Sequence, residues 1–306
     1  MKYFVASDIH SFLDELIAGL QEAGFDIADP NHVLVIDGDL FDRGPKSVEL
    51  FDFLMSIPKE RLVLIEGNHE LLFRSLMYRD EPRSYDFSNG TVSTYCQIAD
   101  MPISPVLDWY EVIAAPFSED YYGPEEFRKE CDKGQKYWDA IKLKVEKSSI
   151  GRAVLNEKTF RKYLEIGPYI ITHSFIPTLI HGDSWRDNQD ISWEEAEWGC
   201  PFKQYEAGLF LDEMAEGKVL ICGHWYASDF HVRYEGAKVG ADNSVYCGYH
   251  LIAIDGCTIR SGLCNVIVID DEDWSIAYRG QPLRPKENNK ELDIMKGRFG
   301  WEEPNN

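Results

Sequence analysis

Short apolar runs punctuate the first quarter of the chain, and each is followed at once by polar and ionisable residues. Tyr3-Phe4-Val5-Ala6, Val33-Leu34-Val35-Ile36 and Leu62-Val63-Leu64-Ile65 have the length and composition of buried strands. Between them the spacing switches to that of amphipathic helices, over residues 12–23, 47–55 and 70–78, where apolar side chains recur on one face. Ser11 can cap the first helix and Gly24 can close it. Such alternation predicts parallel strands joined by crossover helices. From Tyr169 the chain becomes strand-rich, with candidates at 169–171, 219–222, 251–255, 266–269 and 275–278 and a helix over 203–216. The later strands are expected to form a second sheet.

Residues 80–165 break this rhythm. The segment is aromatic-rich, and 135–147 reads as an amphipathic helix bearing Tyr137, Trp138, Ile141 and Val145. It predicts a helical cap inserted over the site, the alternative being a segment packed on the outside of the sheet. The polar tail from Pro285 is expected to fray, and residues 1–306 are read as one domain.

The polar residues after the three strands carry the chemistry. They are Asp8-Ile9-His10, Gly38-Asp39-Leu40-Phe41-Asp42-Arg43-Gly44 and Gly67-Asn68-His69-Glu70. Ligand sites of open α/β sheets form beyond the carboxyl ends of strands, so carboxylate, imidazole and amide oxygen should meet at one edge. That donor set suits manganese, iron or zinc rather than a tetrahedral thiolate site. Asp39, in the middle motif, could bridge two ions. Two metals roughly 3.5–4 Å apart can clamp an in-line displacement. Gly38, Gly44 and Gly67 stand where the chain must turn sharply.

The ordered set resembles the calcineurin-like metallophosphoesterases and, within them, the phosphoprotein phosphatase family of bacterial and phage type. The match is dense over residues 1–78. It resumes at Ile171-Thr172-His173 and Cys222-Gly223-His224, and is weak at Ile254-Asp255-Gly256. The resemblance implies a four-layer αββα sandwich and direct attack of a metal-bound hydroxide on phosphorus. It implies that Asp8, His10 and Asp39 hold one metal, and that Asp39, Asn68, His173 and His224 hold the other. Manganese is the expected ion, with iron and zinc as alternatives. Arg43 would grip phosphate oxygens, His69 would protonate the leaving alkoxide, and Asp42 would orient His69. Two departures stand out: Ser11 where the family usually has glycine, and Glu197 where a second phosphate-binding arginine is usual. Glu197 is expected to repel phosphate there, with Arg186 a candidate substitute. His32, His181, His231 and His250 read as structural or surface residues.

A net charge of −22 disfavours nonspecific binding to nucleic acid or anionic membranes. No apolar run reaches the roughly 18 residues of a membrane span, and the first residues lack a signal-peptide layout. Seven scattered cysteines without Cys-x-x-Cys suit reduced thiols and a cytoplasmic protein. The resemblance makes a serine/threonine protein phosphatase the leading expectation, acting on a phosphorylated protein or a small phosphoester. A symmetrical dinucleoside tetraphosphatase or other nucleotide phosphohydrolase is the enzymatic alternative. A metal-stabilised binding scaffold is the non-enzymatic one, and His69, Asp42 and Arg43 argue against it.

Overall fold

The computed structural model describes residues 1–114, 123–178, 184–188 and 190–300. In it the first three apolar runs are parallel neighbours: β1 (Lys2–Ala6), β2 (His32–Asp37) and β3 (Leu62–Ile65). Helices α1 (Leu13–Ala23) and α2 (Ser47–Met55) form the crossovers. Side chains alternate across the strands. Phe4, Ala6, Leu34 and Ile36 face the helices, while Val5, Val33, Val35 and Ile65 face the second sheet. Gly24 closes α1 at φ 82°, but Ser11 does not cap it. The Ser11 hydroxyl instead lies 2.8 Å from that of Ser47, where α2 begins.

The segment expected as a cap is helical: α4 (Ser84–Asn89), α5 (Thr91–Ala99), α6 (Ser104–Ala114), α7 (Pro124–Lys147) and α8 (Ser149–Leu155) follow α3 (Asn68–Met77). Trp138 is fully buried and stacks on Tyr95 with ring centroids 5.6 Å apart. With Ile141 and Val145 it joins the core shared by α1, α2 and the first sheet, and Tyr137 packs against that core. The apolar face of α7 is thus turned to the outer layer of the first sheet, not to the strand ends.

The second sheet runs β4 (Leu164–Ile166), β5 (Tyr169–Ile171), β6 (Val219–Tyr226), β8 (Leu251–Asp255), β7 (Tyr246–Cys247). Ile171, Ile221, Ile252 and Ile254 meet the first sheet, whereas Ile170, Leu220 and Ala253 face an outer helical core. That outer layer includes α9 (Asp190–Glu197) and α10 (Ala227–Glu235). The layers are therefore helix, sheet, sheet, helix. The predicted helix over 203–216 is two pieces, Pro201–Glu206 and Leu211–Ala215, separated where Gly208 takes φ 81°.

Two expectations are corrected. β9 (Val266–Asp270) and β10 (Ile276–Tyr278) belong to the first sheet, in the order β11-β10-β9-β1-β2-β3, with β11 at Gln281–Pro282. β9 pairs antiparallel with β1, Tyr3 opposite Ile269. Apolar alternation tells which face of a strand is buried, not which free edge it takes. The tail from Pro285 carries α11 (Glu291–Phe299), with Glu291 and Met295 fully buried. Glu291 accepts hydrogen bonds from the hydroxyls of Tyr205 and Tyr246 and from the N–H groups of Tyr249 and His250. A single acid with four donors docks a segment whose composition looks solvated. No helix among the described residues is long and apolar enough to cross a membrane, and all seven cysteines are free.

Candidate active site

Asp8 and His10 follow β1, Asp39 follows β2, Asn68 and His69 follow β3, His173 follows β5, and His224 lies within β6. All but His224 are at most 3% exposed. Asp8, His10, Ser11, Asp39, Asp42, Arg43 and His224 have positive φ, which makes seven of the eleven such non-glycine residues among those described. Left-handed backbone at these residues costs of order 1–3 kcal/mol each and persists only where the surroundings over-determine it. Of the motif glycines only Gly38 needs its φ, 79°. Gly67 matters for close approach, since a Cβ there would lie 2.4 Å from Asp39 Oδ1.

His10 Nδ1 donates to the Phe41 carbonyl at 2.9 Å, and His173 Nδ1 donates to that of Asp37 at 3.0 Å. Each Nε2 therefore presents a lone pair. His173 Nε2 lies 3.0 Å from Asn68 Oδ1 and 3.3 Å from Asp39 Oδ1. With Asp39 ionised, three electron pairs converge there, the arrangement a cation neutralises. Two groups have ligand atoms within 4.8 Å of one another: His10, Asp39 and His69, and Asp39, His173 and His224. Asp39 is common to both, as a bridging carboxylate would be. Asp8 is in neither group; its Oδ2 accepts the His224 N–H at 3.0 Å.

Burial, then the neighbouring Asp8, pushes the Asp39 carboxyl well above its ordinary range. Burial and nearby charges push His10 and His69 down, and burial with His173 pushes His224 down to about 2. Neutral imidazoles and crowded acids are stabilised together by a bound dication. The residues present fit divalent metal.

His69 Nδ1 lies 2.7 Å from Asp42 Oδ2. Burial raises Asp42 to about 7 and pushes His69 below its ordinary value. Arg43 spans the rim, with Nη1 2.7 Å from His10 Nε2 and Nη2 3.0 Å from His69 Nε2.

Glu197 and Arg186 do not take the places expected of them. The Glu197 carboxylate is buried, 3.3 Å from Lys162 Nζ, in a network with Glu66 and Arg74. Arg186 is held by both oxygens of Glu165. Chain spacing located the tryptophan-rich stretch, but α9 turns Glu197 inward and leaves Trp198 beside His224, with ring centroids 6.2 Å apart. From Trp198 a groove of about 790 Å³ runs along Leu71, Leu72, Arg74 and Tyr78. His231 and His250 hydrogen-bond backbone carbonyls away from the cluster, His32 accepts the Asp26 N–H, and His181 lies outside the described residues.

Sequence reasoning missed Glu70, whose carboxylate accepts the N–H groups of Asp39, Leu40 and Gly67 at 2.9–3.0 Å. Its place directly after His69 was the available signal. It named Asp255 only within a weak match and gave it no role; Asp255 is a buried acid that accepts the Cys257 N–H and is raised by burial and by Asp8.

A model of the calcineurin-like phosphoesterases matches residues 1–228, and the chain belongs to that family. Over 76 residues it is 43% identical to the asymmetrical bis(5'-nucleosyl)-tetraphosphatase PrpE of Bacillus velezensis, covering 22% of this chain and 30% of that protein. Over 73 residues it is 41% identical to the symmetrical bis(5'-nucleosyl)-tetraphosphatase of Yersinia enterocolitica, 23% of each chain. The match spans less than a third of the length of these relatives. Among solved structures it resembles a cold-active protein tyrosine phosphatase at TM-score 0.51 and 13% identity, over 94% of this chain and 80% of that one. That likeness is one of fold.

Proposed function

We propose that this chain is a dinuclear metal-dependent phosphatase that hydrolyses phosphomonoesters, with protein phosphoserine or phosphothreonine as its substrate class. The observation that carries the reading is the convergence of lone pairs from His173, Asn68 and Asp39, beside the His69–Asp42 pair and Arg43. Asp8, His10 and Asp39 would hold one ion, and Asp39, Asn68, His173 and His224 the other. The bound ions supply Lewis acidity and a water of lowered pKa. The oxygen and imidazole donors suit manganese, with iron or zinc as alternatives.

Arg43 fits the phosphoryl oxygens because its planar fork donates to two at once. Water oxygen forms the new bond to phosphorus as the bond to the leaving oxygen breaks. His69 gives its Nε2 proton to that oxygen, and the phosphoryl dianion beside the ring favours the protonated imidazole that burial alone disfavours. Asp42 keeps Nδ1 protonated throughout. No covalent phosphoenzyme forms.

Arg43 is the one cation among the described residues hydrogen-bonded within the cluster, which matches a single phosphoryl group better than a polyphosphate chain. The open groove at Trp198 leaves room for an extended substrate. The seven free thiols support a reducing compartment such as the cytoplasm. A second reading, dinucleoside tetraphosphate hydrolysis, is favoured by the similarity to the two tetraphosphatases over the first quarter of the chain. Purified, manganese-loaded protein should be assayed against phosphoserine, phosphothreonine and phosphotyrosine peptides, diadenosine tetraphosphate and an aryl phosphate. A kcat/KM for diadenosine tetraphosphate well above every peptide would replace the first reading with the second.

A further inference from the structure

The Asp42 carboxylate is fully buried and is engaged on both oxygens. His69 Nδ1 and the Thr91 hydroxyl each donate to Oδ2 at 2.7 Å. The Thr94 hydroxyl donates to Oδ1 at 2.7 Å and accepts the Asp42 N–H at 3.1 Å. The latter two bonds form a closed ring around a residue whose φ is 75°. Both threonines are themselves fully buried. They are three residues apart on the first turn of α5, so their hydroxyls share one helix face. The helix is pressed against its target: a Cβ on Gly90 would lie 2.4 Å from the Arg43 nitrogen. Threonines in helices commonly turn their hydroxyls back to their own backbone, whereas these two are spent on a carboxylate some fifty residues earlier in the chain.

An aspartate carboxylate turns easily about its last torsion, which has only a broad preference. One donor does not fix its plane, but three do. We infer that Thr91 and Thr94 are positioning residues of the proton-transfer pair: they lock the Asp42 carboxylate so that the His69 proton stays on Nδ1 and only Nε2 faces the leaving oxygen. The inference rests on the reading of His69 as general acid. It makes the first turn of α5, within the segment between the third and fourth strands, part of the acid machinery from behind.

The test compares Thr91→Val and Thr94→Val, singly and together, with Thr91→Ser and Thr94→Ser. Valine keeps the branched shape and removes the hydroxyl, whereas serine keeps the hydroxyl. Nitrogen-15 spectra of the imidazoles in metal-free protein, assigned with His69→Ala, read the His69 tautomer without reference to turnover. The double valine variant should lose the pure Nδ1-protonated form, and the serine variants should keep it. With metal content matched, the double valine variant should turn over an alkyl phosphate about tenfold more slowly or worse, as expected for lost hydrogen bonds to a charged group. An aryl phosphate, whose leaving group needs little protonation, should suffer less. In an Asp42→Asn background the valine substitutions should add nothing further.

An unchanged His69 tautomer in the double valine variant overturns the inference. So does an equal loss for both ester classes, or a full additive loss in the Asp42→Asn background. If the double variant does not fold, Thr94→Val alone carries the comparison, because Thr94 makes two of the bonds. A wild-type protein inactive on every phosphoester would defeat the proposed function, while the tautomer measurement would still decide the role of the threonines.

Discussion

Glu70 Oε2 accepts the backbone N–H of Asp39 at 3.0 Å, across 31 positions of sequence. The same side chain takes the N–H groups of Leu40 and Gly67, so one carboxylate ties the turn after β2 to the turn after β3. Those turns carry Asp39 and Asn68. Glu70→Gln should weaken manganese binding by about 10–100-fold, the usual effect of losing a ligand-orienting partner. The amide cannot accept at both ends. Metal titration by calorimetry checks this, and an unchanged affinity would remove Glu70 from the metal-organising role.

His69 Nε2 lies 3.9 Å from Asp39 Oδ2, close enough for either a ligand or an acid. His69→Ala should retain two metal equivalents and lose turnover of alkyl phosphates by roughly 10²–10⁴, the span of general acid assistance, with a smaller loss for aryl phosphates. Elemental analysis of the variant separates the roles. Loss of a metal equivalent would make His69 a ligand.

Glu197→Arg should bring no gain in kcat/KM for a small phosphomonoester, because its side chain points into the network of Lys162, Glu66 and Arg74. A third cation there, with one carboxylate removed, should destabilise the fold by about 3–5 kcal/mol, as breaking a buried ion pair does. Denaturant unfolding and steady-state kinetics together report on this. Improved phosphatase activity would mean that position 197 reaches the phosphate after all.

Burial, then the neighbouring Asp39, lifts Glu70 to about 8, far above its ordinary 4.5. It stays protonated in the folded chain after it has ionised in the unfolded one. The stability it contributes therefore declines as pH rises above the ordinary carboxyl range and is gone once pH passes 8. His10, His69 and His224 are pushed below the ordinary 6.5, so their opposite contribution is complete above pH 6.5. Between pH 6.5 and 8 the melting temperature of chelator-treated protein should fall by at least a few degrees. Saturating manganese should abolish the fall by stabilising the ionised acids. A flat or rising profile without metal would contradict the burial of this group.

The sequence was most legible where function and local structure coincide. Asp8, His10, Asp39 and Asn68 sit directly after strands, so each was placed by its own neighbourhood. His173 and His224 follow or lie in apolar runs, and the fold brings both to Asp39. What was not legible depends on contacts distant in sequence. The pairing of β9 with β1 is a choice between edges that apolar alternation does not encode. Tyr137 and Trp138 defined an apolar helix face without saying which core it would enter. Glu197 and Arg186 were judged by distance along the chain, but α9 and Glu165 decide where they point. Thr91 and Thr94 carried no signal because a helical Ser/Thr pair has no function until a partner is in view.

The return of β9 and β10 to the first sheet bears on how the chain emerges from the ribosome. Every proposed metal ligand has been synthesised by residue 224, yet the open edge of β1 stays bare until residues 266–270 arrive. A nascent chain paused between those points holds a complete set of proposed ligands beside one unpaired edge of an apolar strand, and such edges template self-association. Polypeptides released early in that interval should therefore accumulate in inclusion bodies, however well their ligands are matched to metal.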